Sequence, residues 1–201
     1  MAIQHANAFK LLTEKKIQSL AQHVSSDALS RLTDLHTLIQ FNQHKTDQQK
    51  ITVVNDFFNQ LKFKDDKELF VGKIDYWQTP IEFIINGEGD CEDFAIAKYF
   101  TLLSLGVKIE KMRITYVKHL RLNQPHMVLA YYEKSDAYPL VLDNVNKRIE
   151  SAQKLPYLIP VYSFNSSGVW LSQSQGKDRH LGNSKRLNKW RNLIYRMQKG
   201  E

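Results

Sequence analysis

The sequence lacks the features that mark several large protein classes. It has one cysteine in 201 residues, so it cannot form an internal disulfide bond. No run of 18 apolar residues is present, and we expect no membrane-spanning helix. No secretory signal is visible at the N-terminus, which predicts either a cytoplasmic protein or a chain already freed of a leader. Internal repeats and low-complexity segments are also missing.

Zinc-ligand spacings, phosphate-binding loops and RNA-reading aromatic motifs are missing as well. The formal net charge is nevertheless +7, and residues 176–201 carry +6 of it, with eight Lys and Arg against two acidic residues. A basic segment of this kind suits nucleic acid or an acidic protein face. We favour instead a helix over 183–197 that packs on the body, with no nucleic-acid partner. Its apolar positions follow the helical period: Leu187, Trp190, Leu193, Ile194 and Met197.

Hydrophobic spacing in the first half of the chain predicts helices. A chain of this length with 42% apolar residues suits one domain. Capping-box patterns at Thr46 and Thr79 mark two helix starts. The predicted helices cover 4–24, 27–42, 46 to about 61, 79 to about 86, and 90–105.

The second half of the chain has strand patterns instead. Helices followed by an antiparallel sheet predict an α+β fold. The predicted strands are 112–117, 126–132, 138–143, 161–164 and 169–172.

The single cysteine lies at a predicted helix start, in Gly87-Glu88-Gly89-Asp90-Cys91-Glu92-Asp93. Free N–H groups and the positive end of the helix dipole lower a thiol pKa there, and they can hold an oxyanion. A buried structural thiol is the alternative, but the flanking acids argue against an apolar pocket. We interpret Cys91 as a nucleophile whose own N–H is one oxyanion donor. Trp77 and Gln78 are candidates for the second donor, and Trp77 is equally explained as a core residue.

His126 is the histidine best placed to act as the base. If the hairpin that follows it is centred between Lys134 and Ser135, His126 faces Asp143 directly, with Cβ atoms within about 5.5 Å. The carboxylate would then fix the imidazole tautomer and leave the other nitrogen for the thiol. A one-residue bulge would break this register. A cross-strand His–Asp pair without catalysis is the alternative interpretation.

Three carboxylates, those of Asp90, Glu92 and Asp93, surround the cysteine. Hard oxygen ligands of this kind suit Ca²⁺. Helix capping explains the same acids, because acidic residues are favoured in a first turn. No twelve-residue calcium loop is present, so spacing alone favours capping.

Two strings of the chain resemble a known family: Trp77-Gln78-Thr79-Pro80 and Gly89-Asp90-Cys91-Glu92-Asp93. They are similar to the bacterial transglutaminase-like cysteine peptidases, with LapG-type periplasmic adhesin proteases as the nearest group. The resemblance runs from about residue 75 to 144. It implies a papain-like, transglutaminase-like core in which the cysteine-bearing helix packs on an antiparallel sheet. We divide one domain, 1–201, into a helical N-terminal lobe (1–62), a catalytic core (75–172) and the basic helix (183–197).

The resemblance also implies a function. It implies a Cys91–His126–Asp143 triad and Ca²⁺ held by Asp90, Glu92 and Asp93, with further ligands such as Asp75 unassigned. The implied activity is calcium-dependent cleavage of the N-terminal region of a large cell-surface adhesin, which controls surface attachment and biofilm. The periplasm and control by the periplasmic domain of an inner-membrane cyclic-di-GMP receptor follow from the same likeness.

Two other functions fit the same residues. A protein-glutamine acyltransferase, a true transglutaminase, uses the same triad and thioester. A non-catalytic binding module with a transglutaminase-like fold is the other alternative. The products of the reaction and the reactivity of Cys91 distinguish the three.

Overall fold

The computed structural model describes residues 11–65, 76–135, 137–172 and 178–199. Helices dominate its first half, as predicted. None of the helices in these ranges is long and apolar enough to cross a bilayer. The helices are α1 (Glu14–Leu20), α2 (Ser26–Asn42), α3 (Asp47–Phe58), α4 (Pro80–Asn86), α5 (Cys91–Ser104) and α6 (Asn188–Lys199).

The capping signals place the helix starts correctly. Thr46 and Thr79 each form the predicted capping box at the starts of α3 and α4. The helix predicted over 4–24 is shorter than expected, because the Thr13 side chain accepts from the Lys16 amide and starts α1 at Glu14. Residues 4–10 of that prediction lie outside the described residues.

Antiparallel strands make up the second half. Seven of the described strands form one sheet in the order β6-β5-β4-β3-β7-β8-β9, and β1 pairs with β2 in parallel. The strands are β1 (Lys62–Phe63), β2 (Glu88–Gly89), β3 (Met112–His119), β4 (Gln124–Tyr131), β5 (Leu140–Leu142), β6 (Glu150–Ser151), β7 (Leu158–Phe164), β8 (Val169–Leu171) and β9 (Arg179–Gly182).

The cysteine-bearing helix lies in the centre of the fold. α5 packs on β4 and β3 on one side and on α3 and α4 on the other. It is buried on nearly all sides, and its residues share one apolar core with α2, α3 and the sheet. This layered arrangement confirms the predicted α+β class and holds the start of α5 against the strand that carries His126.

The sheet differs from the sequence prediction at its edges. The short edge strands β6 and β9 were not predicted, because two to four residues give too little alternation to recognise. The strand predicted over 138–143 narrows to β5, and Tyr138 is exposed. Neither difference affects the central strands β3 and β4.

Candidate active site

Cys91 is the first residue of α5 and is half-buried. Its thiol donates to Glu92 Oε2 at 3.2 Å, and the backbone N–H of Met127 donates to its sulfur. Burial raises the pKa of the thiol well above its usual range, the charges of Glu92 and Asp90 raise it further, and the Met127 amide acts in the opposite direction. The thiol therefore needs a base or a compensating cation before it can become a nucleophile.

His126 and Asp143 are in direct contact, and both are buried. His126 Nε2 lies 2.7 Å from Asp143 Oδ1, and that oxygen also accepts from the Val145 amide at 3.0 Å. Burial alone would raise the Asp143 pKa, but the hydrogen bond and charge of His126 and the backbone donors outweigh it, so the pKa is lowered. An ionised Asp143 accepts the Nε2 proton, which leaves Nδ1 of His126 for another partner.

The strand register behind this contact differs from our prediction. Tyr131 pairs with Leu140 rather than with Tyr138, so the hairpin is centred about one residue later than expected. Asp143 lies one position beyond the end of the ladder and reaches His126 diagonally. When the centre of the hairpin moves by one residue, the residue opposite each β4 position changes by two. Side chains two positions apart point to the same face of a strand, so His126 and Asp143 remain on one face of the sheet.

The Met127 contact places the thiol against the strand that carries His126. Met127 immediately follows His126 on β4, so its amide holds the Cys91 sulfur beside the residue that bears the imidazole. A second histidine, His119, packs edge-on against His126 with ring centroids 5.7 Å apart. His119 Nδ1 accepts from the Leu122 amide at 3.1 Å, which commits that ring to the β3–β4 turn.

Asp93 connects the cysteine helix to the preceding loop. Its Oδ1 accepts from the Gln78 amide at 2.8 Å, and its Oδ2 accepts from Gln78 Nε2 at 2.6 Å and from the Asp90 amide at 3.2 Å. Burial raises the pKa of Asp93 to about 8. A Cβ at Gly89 would lie 2.4 Å from Asp93 Oδ2, so the close approach requires glycine. Three N–H donors fix this carboxylate, which holds the helix start in place.

Gln78, one of the two candidates for a second oxyanion donor, is engaged elsewhere. Gln78 directs its backbone N–H and its side-chain nitrogen at Asp93, and its Oε1 accepts from Asn86 Nδ2 at 2.7 Å. The Trp77 ring stacks on Phe164 at 5.7 Å and is buried in the core. The Cys91 amide at the helix start remains the predicted donor.

Comparison with known proteins gives the family. The family model of the bacterial transglutaminase-like cysteine proteinases (BTLCP) matches residues 29–178. The chain belongs to this family.

Solved structures of LapG from Legionella pneumophila resemble this proteinase over most of both chains. One is 44% identical and covers 94% of this chain and 98% of its own, with a TM-score of 0.83. Calcium-bound and EGTA-treated structures of the same LapG give TM-scores of 0.79 and 0.82 at 44% identity. They cover 91% and 92% of this chain and 98% of theirs. No curated protein sequence matches the chain. The LapG-type assignment and the papain-like α+β fold are thereby confirmed.

The acids around the cysteine of this proteinase fit a cation by their chemistry. Asp90 and Glu92 place carboxylates beside the thiol and raise its pKa, and hard oxygens of this kind suit Ca²⁺. Asp93, the third predicted ligand, already accepts from three N–H groups. Within the described ranges, no three His, Cys, Asp or Glu side chains converge as a ready-made metal site. Asp75, named as a further ligand, lies outside the described residues.

The sequence analysis missed the residues that surround the backbone of Asp143. Lys98 Nζ and Asn59 Nδ2 both donate to the Asp143 carbonyl, at 3.1 and 2.9 Å. The only local signal is that Lys98 follows Cys91 by seven residues, which places both on one face of α5. Asn59 is the C-cap residue of α3, and no sequence pattern links it to Asp143.

Proposed function

We propose that this proteinase is a calcium-dependent cysteine endopeptidase with a Cys91–His126–Asp143 triad. The observation that carries the proposal is the 2.7 Å bond between His126 Nε2 and Asp143 Oδ1, next to a cysteine at a helix start. The Met127 amide on the Cys91 sulfur supports it, because it ties the thiol to the strand of His126. Nucleophile, base and orienting acid then lie on three adjacent elements, α5, β4 and the end of β5.

The proposed chemistry uses these residues in sequence. His126 Nδ1 takes the proton of Cys91, and the sulfur attacks a peptide carbonyl to form a thioester. The oxygen that becomes negative faces the free N–H groups at the start of α5. Asp143 stabilises the imidazolium, which then protonates the leaving amine. Water, activated by the neutral imidazole, releases the acyl group.

Asp90 and Glu92 would hold the calcium ion, with Asp93 as the third predicted ligand and as the link to Gln78. When bound, the ion supplies positive charge that offsets the carboxylates beside the thiol and so lowers the Cys91 pKa. The calcium-bound form of the 44% identical LapG supports Ca²⁺ as the ion. Asp93 also holds the start of α5 in a fixed geometry through its bonds to Gln78 and to the Asp90 amide, and attack on a carbonyl requires such a geometry.

The substrate, location and partner are part of the same proposal. The likeness to LapG-type proteases favours the N-terminal region of a large cell-surface adhesin as substrate. It also favours the periplasm, a role in biofilm control, and the periplasmic domain of a cyclic-di-GMP receptor as partner. The deciding test is direct incubation with adhesin fragments.

The first prediction is that the purified protein cuts an N-terminal adhesin fragment, and that Cys91→Ala abolishes cutting while the circular dichroism spectrum stays unchanged. A calcium chelator should reduce the rate, and added Ca²⁺ should restore it. Glu92→Ala should weaken calcium binding in calorimetry, whereas Glu110→Ala, at an exposed position, should not. Mass spectrometry of the products distinguishes hydrolysis from acyl transfer.

Different outcomes would contradict different parts of this proposal. Isopeptide products or released ammonia would indicate an acyltransferase. Failure of iodoacetamide to label Cys91 in the folded protein with Ca²⁺ added would favour a binding module. If calorimetry detects no calcium binding and the chelator leaves the rate unchanged, Asp90, Glu92 and Asp93 serve only as helix caps.

A further inference from the structure

Lys98 is a buried lysine on the same helix as Cys91. Seven residues separate the two, which is nearly two helical turns, so both lie on one face of α5 about 10 Å apart along its axis. Lys98 is completely buried. Its Nζ lies 2.9 Å from Asn55 Oδ1, 2.8 Å from Asn59 Oδ1 and 3.1 Å from the Asp143 carbonyl oxygen. Three acceptors thus match the three donors of an ammonium group.

The two asparagines close the network on the other side. Asn59 Nδ2 donates to the Asp143 carbonyl at 2.9 Å, and Asn55 Nδ2 donates to the Lys147 carbonyl at 2.8 Å. Each asparagine therefore uses its oxygen on Lys98 and its nitrogen on the segment that follows β5. A fully satisfied buried network of this kind fixes one arrangement of its members.

The Lys98 network holds the main chain of Asp143, which the hydrogen bonds of the sheet do not reach. β5 ends at Leu142, so Asp143 lies outside the strand ladder. Its main-chain carbonyl is held instead by Lys98 of α5 and by Asn59, the C-cap residue of α3. Through Lys98, the helix that carries the nucleophile is bonded to the residue that orients the imidazole.

Stability alone does not explain a lysine at this position. Burial lowers the pKa of Lys98 to about 7, although the charges of Asp143 and Asp56 act to raise it. Taking a lysine out of water carries a desolvation cost. The three acceptors of Lys98 belong to Asn55, Asn59 and the Asp143 main chain, so what the lysine provides is a fixed position for these groups rather than packing.

We propose that Lys98 is a positioning residue of the triad, which holds the main chain of Asp143 at a fixed place relative to Cys91. This inference rests on the proposed function. Lys98 touches neither the thiol nor the substrate carbonyl. It acts through Asp143, whose carboxylate sets the orientation and tautomer of His126.

Lys98→Met tests the proposal, with Lys111→Met as the matched control. Lys111 forms an ion pair with Asp47 at 2.7 Å, and it lies at the far end of β4 from His126. We expect Lys98→Met to lower kcat on the adhesin fragment about tenfold to a hundredfold, with KM changed by less than about threefold. Lys111→Met should leave kcat unchanged.

A second readout is independent of cleavage. Proton NMR should show the Nε2–H of His126 as a downfield signal in the wild-type protein, because Asp143 accepts that hydrogen bond. The signal should be lost or broadened in Lys98→Met and kept in Lys111→Met. Where Lys98→Met does not fold, Lys98→Leu replaces it, because its side chain also lacks an N–H donor.

The outcomes separate the two proposals. A folded Lys98 variant with wild-type kcat and a wild-type His126 signal overturns the positioning role and leaves the protease proposal intact. A wild-type protein that cuts no fragment overturns the protease proposal, while the NMR comparison still decides whether Lys98 fixes the His126–Asp143 bond. Loss of thermal stability without a change in that signal would assign Lys98 a purely structural role.

Discussion

At the residue scale, the two buried histidines of β3 and β4 differ in what their nitrogens contact. His126 Nε2 bonds to Asp143, whereas His119 Nδ1 accepts from the Leu122 amide within its own turn. Burial lowers the pKa of His119, and the neighbouring His126 lowers it further. A neutral ring tied to the turn suits packing, and a ring oriented by a carboxylate suits proton transfer.

Substitution of these residues should separate the two roles. We expect His126→Ala to be as inactive as Cys91→Ala, and Asp143→Asn to be severely but less completely impaired, since an orienting group can contribute less than the base. His119→Ala should retain most of its kcat/KM. Rates on the adhesin fragment measure all three. Activity in His126→Ala together with inactivity in His119→Ala would show that the base is assigned to the wrong ring.

At the element scale, local signals predicted helix starts well and strand register less well. Thr46 and Thr79 fixed two helix starts, because a capping box is complete within four residues. The β4–β5 register depends on the conformation of the connecting loop, which no short pattern encodes. The His126–Asp143 pairing was nevertheless predicted, because a shift of two positions preserves the face of the sheet. The Lys98 network joins residues about 40 positions apart, which periodicity does not predict.

The basic helix α6 packs on the body, as favoured from its apolar spacing. Trp190 and Leu193 are buried in the common core. Arg196 reaches the loop before α4, where its Nη1 donates to Tyr76 Oη at 2.7 Å and its Nη2 donates to the Trp77 carbonyl. The same Nη1 donates to Glu82 Oε2 in the first turn of α4 at 2.5 Å. That loop continues into Gln78, so α6 supports the residue that holds Asp93.

Arg196→Met should therefore destabilise both the fold and the site. We expect a loss of about 1.5–3 kcal/mol in the free energy of unfolding, the range for hydrogen bonds to charged groups. The rate on the adhesin fragment should fall as well. Arg191→Met, at an exposed position on the same helix, should change neither quantity. Urea unfolding and initial rates measure them, and equal effects of the two substitutions would contradict a specific role for Arg196.

At the scale of the whole molecule, one sheet separates two apolar regions of different size. The face that carries α5 belongs to the main core, which also includes α2 and α3. The opposite face has a smaller cluster built from Val117, Val128, Val141, Leu155 and Leu158. Two buried ionisable groups, Asp93 and Lys98, belong to α5 itself. Their burial makes the stability of the whole fold depend on pH.

Because of Lys98, the free energy of unfolding should increase as the pH rises above 7. Its pKa is about 7 in the folded protein, against 10.5 for an ordinary lysine. Between these values the unfolded chain binds a proton that the folded chain has released, so the free energy of unfolding rises with pH. The upper bound is about 1.4 kcal/mol per pH unit. Lys98→Met lacks this contribution.

Urea unfolding at pH 7.5, 8.5 and 9.5 measures this Lys98 contribution to the free energy of unfolding. It is the difference between the protein with Lys98 and the Lys98→Met variant, with Cys91→Ala present in both to prevent oxidation. Groups that the two proteins share, Asp93 among them, cancel in this difference. Lys111→Met is the control: the hydrogen bond from Lys111 to Asp47 raises the Lys111 pKa, so its contribution stays constant below about pH 10. A wild-type minus Lys98→Met difference that does not increase with pH would mean that Lys98 keeps its proton in the folded state, held by the three oxygens around Nζ.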